Sequence, residues 1–394
     1  MTTQPPWVYL DNNATTRMST WVAEAMLPFF SDNFANPSSS HPLGAAASQA
    51  LQVARAQVCT LLGAALEREV VFTSGGSESN CTAILSALET QPDRNEIVTS
   101  VVEHPSILAA CARLERSGRA RVHRIPVDCN GNLDLDAYRS ALGARTALAT
   151  IQWANNETGV IFPVKILAAM AHQAGALFHS DAVQAAGKIP IDVQWVGVDM
   201  VTASAHKMHG PKGIGALYVR NGVKFEPLIP GGRQERGRRA GTENCAAIAG
   251  FGIAAELAGR AIPHETPRIE RMRDRLEGEI LRLVPGSMVV GGESDRLPNT
   301  LNMAFKDVEA DVVLLLLEQA RIAASSGSAC SSGSMEPSHV LRAMKVPFSH
   351  LRGAIRFSFS RENVEKDVDR VLHVMSQIVE KLEAHSLSME PAYE

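Results

Sequence analysis

Between residues 69 and 219 short aliphatic runs alternate with amphipathic stretches, and this alternation limits the fold more than any other feature. Residues 69–74, 96–100, 147–152, 176–180, 199–203 and 215–219 read as strands. Helix-period segments such as 80–88 and 165–174 lie between most of them. Such alternation builds an α/β fold with a mostly parallel sheet covered by helices on both faces. Sheets of this kind gather ligands at the carboxyl ends of their strands. No internal repeat interrupts the pattern.

The texture changes near residue 260. Pro263, Pro267 and the charge-rich stretch 265–280 predict a long surface helix. Farther on, Val364, Val368, Val371, Leu372, Met375, Ile378, Val379 and Leu382 recur at spacings of three and four. They form one apolar helix face, expected to pack on its own sheet. The aliphatic run 312–317, closed by Asp311 and Glu318, reads as a buried element. It is far short of the roughly 20 residues that span a bilayer. The expected division is a large domain over 16–259 and a smaller α+β domain made of 1–15 and 260–394.

Composition excludes whole classes. With 394 residues, 45% hydrophobic and 20% charged, the chain is neither disordered nor a disulfide miniprotein. A net charge of -4 gives no electrostatic case for nucleic acid or an anionic membrane. The six cysteines show no CxxC spacing, so neither a metal site nor a thioredoxin motif is expected. Six in a chain this long form no disulfide framework, which favours a reducing, cytoplasmic setting. The first residues have neither a basic nor an apolar signal region, so no signal peptide is expected.

Polar residues collect where predicted strands run out. Lys207 directly follows one strand, where partial desolvation lowers an amine's pKa and makes it a usable nucleophile. Ser74-Gly75-Gly76-Ser77-Glu78-Ser79 joins a strand to a helix. It reads either as a phosphate cup at a positive helix end or as a plain turn with a serine cap. Asp181 could hold a protonated pyridine nitrogen or cap a helix. His104 precedes Pro105 and could stack on a planar cofactor or merely shape a turn. Residues 155–159 form a third polar strand end. In this order the set suits pyridoxal phosphate.

At this point the sequence resembles the cysteine desulfurases of the NifS/IscS type, in the class V branch of the fold-type-I pyridoxal-phosphate enzymes. The resemblance runs through YLDNNATT, NPSSSH, FTSGGSESN, VVEHP, WANNETG, HSDAVQ, SAHKMHGPKG, GGRQERGRRAGTEN, RLPNT, SSGSACSSG and IRFSFSR. It is strongest to the nitrogen-fixation branch in QERGRRAGTEN and SGSACSSGSMEPSHVLRAM. It implies a sheet of the seven-stranded type and a pyridoxal 5'-phosphate cofactor. By this resemblance Lys207 bonds the cofactor, Asp181 pairs with its ring nitrogen and Gln184 with its phenolate oxygen. His104 stacks on the ring and helps move protons. Gly76, Ser77, Ser204 and His206 hold the phosphate and cofactor, and Thr242 reaches the phosphate of the other subunit of a homodimer. Asn156 and Arg356 fix the substrate carboxylate.

Cys330 matches the family nucleophile, and it lies among small residues from Ala323 to Ser334. A sulfur carrier must reach its substrate and then a partner, which a mobile loop allows. The other five cysteines are expected to be buried and structural. The implied reaction converts L-cysteine to L-alanine and leaves a persulfide on Cys330. An iron–sulfur scaffold protein of the NifU or IscU type would receive the sulfur, and the role implied is nitrogenase maturation. The chain would hold no metal of its own, though the Cys330 persulfide could touch a nascent cluster. The alternatives are a housekeeping IscS-like role, selenocysteine lysis or aminotransfer. Ala35, Ser77 and Arg233 depart from residues common in the family.

Overall fold

The computed structural model describes residues 5–326 and 337–388, with side chains described through 378. Its central sheet contains β2 (Val70–Thr73), β3 (Glu96–Ser100), β4 (Arg121–Ile125), β5 (Thr146–Thr150), β6 (Leu177–Asp181), β7 (Met200–Ser204) and β8 (Gly215–Val219). The order is β2-β8-β7-β6-β5-β3-β4, parallel except where β8 runs antiparallel to β2 and β7. This is the mostly parallel seven-stranded sheet expected.

Strand alternation divides the sheet's side chains between two cores. Val71, Ile97, Leu148 and Leu217 face α3 (Gly76–Glu89) and α4 (Pro105–Arg116) in one apolar cluster. Val70, Phe72, Val98, Phe178, Val201 and Tyr218 belong to the other. There they meet α2 (Pro42–Leu62), α6 (Val164–Gln173) and the first half of α8 (Cys245–Leu283). Burial on both faces explains why these strands read as continuous aliphatic runs. The strand β4 carries no such signal. It lies at the sheet edge, and Arg121 and Arg124 are exposed while Val122 and Ile125 are buried. The shorter helices α1 (Thr20–Met26), α5 (Leu135–Ala141) and α7 (Val193–Val196) fill out this part.

A second antiparallel sheet places β10 (Thr300–Ala304) between β9 (Met288–Val289) and β12 (Ala354–Ser358). A parallel pair joins β1 (Val8–Tyr9) to β11 (Ile322–Ala323). Around them pack α9 (Ala310–Gln319), α10 (His339–Ala343), α11 (Phe348–Leu351) and α12 (Glu365–Ser388). The associated core contains Val8, Leu10, Met272, Leu276, Met303, Phe357, Val371 and Ile378.

Three expectations change here. The charged stretch after Pro267 is the second half of a longer helix, α8, which begins at Cys245 and contains both prolines. Asn244 caps it by accepting from Ala247 N at 3.1 Å. Its first half buries Ile248, Phe251 and Ala254 in the first core and its second half buries Met272, Leu276 and Ile280 in the next. That burial outweighs the interruption each proline makes in the hydrogen-bond ladder. The first half is apolar enough to cross a membrane by composition, but those residues face the protein's own core. The run 312–317 is half of an amphipathic helix rather than a buried element. Val313 and Leu317 are buried, while Val312 and Leu315 are 46% and 54% exposed. The final helix α12 does present one buried face, with Val368, Val371, Met375 and Ile378. It lies against α8 and α9. Val364 precedes that helix and stays exposed.

Candidate active site

The carboxyl ends of β2, β3, β5, β6 and β7 open on one cavity of about 350 Å³. Gly76, Ser77, His104, Asn156, Asp181, Gln184, Ser204, His206, Lys207 and Arg356 all line it. These are ten of the twelve residues that the sequence singles out, nine from five strand ends and the turns after them and Arg356 from the middle of β12. Thr242 stays outside this cavity and is exposed in the segment ahead of α8. Cys330 lies outside the described residues.

Lys207 ends the short 3₁₀ turn that follows β7. Its Nζ donates to the main-chain oxygens of Asn13 at 2.5 Å and Ala14 at 2.6 Å. Asp181, at the end of β6, is 7% exposed. Its Oδ1 accepts from Val183 N at 3.0 Å and its Oδ2 from Asn80 Nδ2 at 2.7 Å. Asp181 caps no helix: one oxygen shapes the turn after β6, and the carboxylate is held at the cavity wall.

His104 likewise has two parts. It caps α4, with Nδ1 accepting from Ser106 N at 3.2 Å. A main-chain N–H only donates, so the neutral ring carries its proton on Nε2. Burial pushes the His104 pKa down against the opposing pull of Asp181, and Lys207 and His339 lower it further. The ring is therefore neutral near pH 7. His206 is pushed down to about 4 by burial and by Lys207, Lys212 and Lys188.

The turn from β2 into α3 is capped by Gly75, with no side chain closing the helix end. This favours the phosphate-cup reading over the serine cap, because the first-turn N–H groups keep no side-chain acceptor at the cap. A Cβ on Gly76 would lie 2.9 Å from Val183 Cγ2, so glycine here lets the turn approach the residues after β6 closely. Glu78 stands beside this cup. Burial raises its pKa, but hydrogen bonds from Arg239 and Ser74 outweigh that and lower it. Arg239 Nε meets Glu78 Oε1 at 3.0 Å, so an anion there would not face an unpaired carboxylate.

Arg356, on β12, is 1% exposed. Its Nη1 donates to Asn156 O at 3.0 Å and its Nη2 to Asp11 Oδ1 at 2.7 Å. Gly159, at φ +79°, lets the 155–159 turn reach β10, where a Cβ would meet Thr300 Cβ at 2.8 Å. On either side of the undescribed segment 327–336, residues tie to this neighbourhood. Ser325 exchanges main-chain hydrogen bonds with Arg356, at 2.7 and 3.2 Å. Ser338 Oγ donates to Glu157 Oε2 at 2.6 Å.

Several site residues escape the sequence reading. Asn13 is a buried hub: besides Lys207, its main-chain oxygen accepts from Gln184 Nε2 at 3.0 Å, and its Nδ2 donates to Thr300 Oγ1 at 2.9 Å. Asn80 orients Asp181 while its own Oδ1 is buried without a partner. Glu103, adjacent to His104, is raised to about 8 by burial. Ser100 and Gln152 hydrogen bonds offset part of that shift, and Asp181 adds to it. The residues themselves gave partial signals: Asn13 lies in DNNATT and Asn80 in SGGSESN, both polar runs at segment ends.

The expected burial of five cysteines needs correction. Cys59 and Cys111 are buried, Cys81 and Cys245 are half-buried, and Cys129 is exposed in the Asp128–Gly131 turn. Burial raises the pKa of Cys59, Cys81 and Cys245 and takes Cys111 to about 12. Those four are protonated and poorly reactive near pH 7.

A pH prediction follows from Glu103. An ordinary glutamate pKa is near 4.5, and the folded value is about 8. The folded state thus holds a proton that the unfolded chain releases between these values. Its stabilising contribution is complete below 4.5 and is lost as pH rises through 8. A neutral glutamine mimics the protonated carboxyl. Glu103→Gln should match wild type in thermal midpoint at pH 5 and exceed it at pH 9. Parallel curves at both pH values would refute this.

The cavity fits pyridoxal phosphate by its donors and acceptors. It brings together an amine, a fixed carboxylate, a neutral imidazole, a helix-end cup and an unpartnered amide oxygen. Comparison with known proteins agrees. The family model for aminotransferase class V matches residues 8–371. A cysteine desulfurase of Gluconacetobacter diazotrophicus is 61% identical over 95% of this chain and 94% of its own. The cysteine desulfurase NifS of Azotobacter vinelandii is 51% identical over 95% of this chain and 93% of its own. Among solved structures, a NifS-like protein superposes with a TM-score of 0.89 at 35% identity, covering 95% of this chain and 99% of that one. SspA in complex with cysteine gives 0.80 at 34% identity, over 91% and 100%.

Proposed function

Since the chain belongs to the aminotransferase class-V family and is a pyridoxal-phosphate-dependent cysteine desulfurase, we propose how its own residues divide that work. The observation that carries the proposal is the convergence of ten predicted residues on one cavity.

Lys207 would bond the cofactor, with Asp181 at the ring nitrogen, Gln184 at the phenolate oxygen and His104 over the ring. Gly76, Ser77, Ser204 and His206 would hold the phosphate end. When bound, the cofactor serves as an electron sink that lets the substrate's Cα–H and then its C–S bond break. The charge of Asp181 stabilises the protonated ring nitrogen on which that sink depends. Arg356 and Asn156 receive the substrate carboxylate, and the burial of Arg356 strengthens a bidentate grip. The Lys207 amine, once free, would take the substrate's α-proton. Neutral His104, with its proton on Nε2, can donate and recover a proton nearby.

The Cys330 thiolate then attacks the substrate sulfur. A new S–S bond forms as the C–S bond breaks, and its electrons stay with the carbon skeleton, which gains protons to become alanine. Cys330 is left as a persulfide. The supporting fact is that Ser325 and Ser338 flank the segment with Cys330 and attach to Arg356 and Glu157.

Replacing Arg356 by lysine keeps the charge but loses the fork. The expected result is a rise of about tenfold or more in KM for L-cysteine, with cofactor still bound. An unchanged KM would remove Arg356 from the substrate site.

The same reading makes the protein a homodimer in the cytoplasm. Thr242 is exposed, and so are the large apolar side chains Trp21, Leu27, Phe30, Phe34 and Val53. A second copy covering that face would bring its Thr242 toward the open side of the phosphate cup. Light scattering should give about twice 42.3 kDa, and a monomer holding active cofactor would overturn the dimer. The division into 16–259 and 1–15 with 260–394 belongs to the same reading: one core draws only on Val8, Leu10 and residues 269–378, while the larger core also takes in Val290, Leu297, Val340 and Met344. An iron–sulfur scaffold of the NifU or IscU type is the proposed sulfur acceptor. Nitrogenase maturation is the proposed role, supported by the likeness to NifS of Azotobacter vinelandii.

A further inference from the structure

Lys188 lies in the turn after β6, and its stem borders a second cavity of about 60 Å³ behind Lys207. The residue is half-buried for that reason, but its amine points inward. Nζ donates to Gln184 Oε1 at 2.7 Å and to Asn13 Oδ1 at 2.8 Å. A side-chain amide has an oxygen end and a nitrogen end of almost equal size, and its neighbours decide which way it faces. A protonated amine offers donors only. A neutral amine still spends its two N–H groups on these two oxygens.

Both amides are therefore turned. Gln184 Nε2 donates to Asn13 O at 3.0 Å, the same oxygen that accepts from Lys207 Nζ at 2.5 Å. Asn13 Nδ2 is directed instead to Asn156 O at 3.1 Å and Thr300 Oγ1 at 2.9 Å. The Gln184 N–H and the Lys207 nitrogen thus address one atom. Without Lys188, the Gln184 amide could turn and present its oxygen there.

We propose that Lys188 is a positioning residue that locks the Gln184 amide with its N–H toward whatever is joined to Lys207. The pocket then offers a donor to an anionic ring oxygen rather than a repelling acceptor. This rests on the reading that the pocket holds pyridoxal phosphate on Lys207. The charged and titratable groups around Lys188 are Lys207, Arg356, His206 and His209, with Glu265 on the wall of the smaller cavity. Burial, then Lys207 and Arg356, push the Lys188 amine well below its ordinary range, and the geometry serves in either charge state.

The test uses the holoprotein and reads the cofactor's visible absorbance band across pH, and the half-life of cofactor release. Lys188→Met removes both donors and keeps the stem. The expected result is a shift of about one pH unit in the band's midpoint and release about tenfold faster, the scale of one hydrogen bond to a charged group. Gln184→Glu, nearly isosteric, puts an acceptor where the N–H was and should produce the same change. The double variant should be no worse than either single one. Wild-type midpoint and release in Lys188→Met would overturn the proposal. So would a lowered thermal midpoint of the apoprotein with no spectral change, or strictly additive effects in the double variant. If Lys188→Met does not fold, wild-type behaviour of Gln184→Glu overturns it. A wild-type chain with no visible band would instead overturn the pocket's reading, and the inference with it.

Discussion

Lys207→Ala should lower turnover of L-cysteine by at least about a thousandfold, because a covalent anchor and a proton acceptor are lost together. Structural damage should be small. The Lys207 amine bonds to two main-chain oxygens, of Asn13 and Ala14, in a part of the protein already braced by other contacts. Asn13 is also fastened through Ser358, Thr300, Asn299 and Asn156. The variant should therefore fold, show a near wild-type thermal midpoint, and still bind cofactor noncovalently through the cup and Asp181. Borohydride should fix the cofactor covalently in the wild type and fix none in the variant. Retention of even a tenth of the wild-type rate would show that another residue takes the α-proton.

Asp181→Ala is expected to cost about a hundredfold to a thousandfold in kcat, the usual range for removing one preorganised charge. Asp181→Asn should be nearly as damaging, since it keeps the shape and loses the charge. In the folded protein Asn80 and Val183 each hold one carboxylate oxygen, so the group cannot rotate away from the cavity. The alanine variant also removes one of the two acceptors of Asn80 Nδ2, which keeps Ser106 Oγ at 3.0 Å, so the added stability loss should be about 1 kcal/mol. The asparagine variant separates the two effects. If it keeps full kcat, the negative charge is not what supports the reaction.

The strand-end residues of the site were legible in the sequence because each sits beside a break in a local pattern. Lys207, Asp181 and His104 follow aliphatic runs, and a mostly parallel sheet brings such ends to one edge. What holds them was not legible. Asn13 reaches Lys207 across 194 positions and Gln184 across 171, through main-chain oxygens that every residue possesses. Lys188 looks like any turn lysine until its two amide partners are seen. The edge strand β4 escaped because exposure of Arg121 and Arg124 leaves too few apolar residues to mark it. The start of α8 escaped because Pro263 and Pro267 suggested a break where two cores sustain one helix. The run 312–317 looked buried because composition alone cannot tell a helix's covered face from its open one.

The most direct measurement of the whole account is a comparison of wild type and Cys330→Ala, both loaded with pyridoxal phosphate and given L-cysteine with a thiol reductant. Alanine and sulfide are followed together. Equal amounts of both are expected from the wild type and no turnover from the variant, whose cofactor band should remain. Equal turnover by the two proteins would contradict it, because the substrate's sulfur would then leave without Cys330.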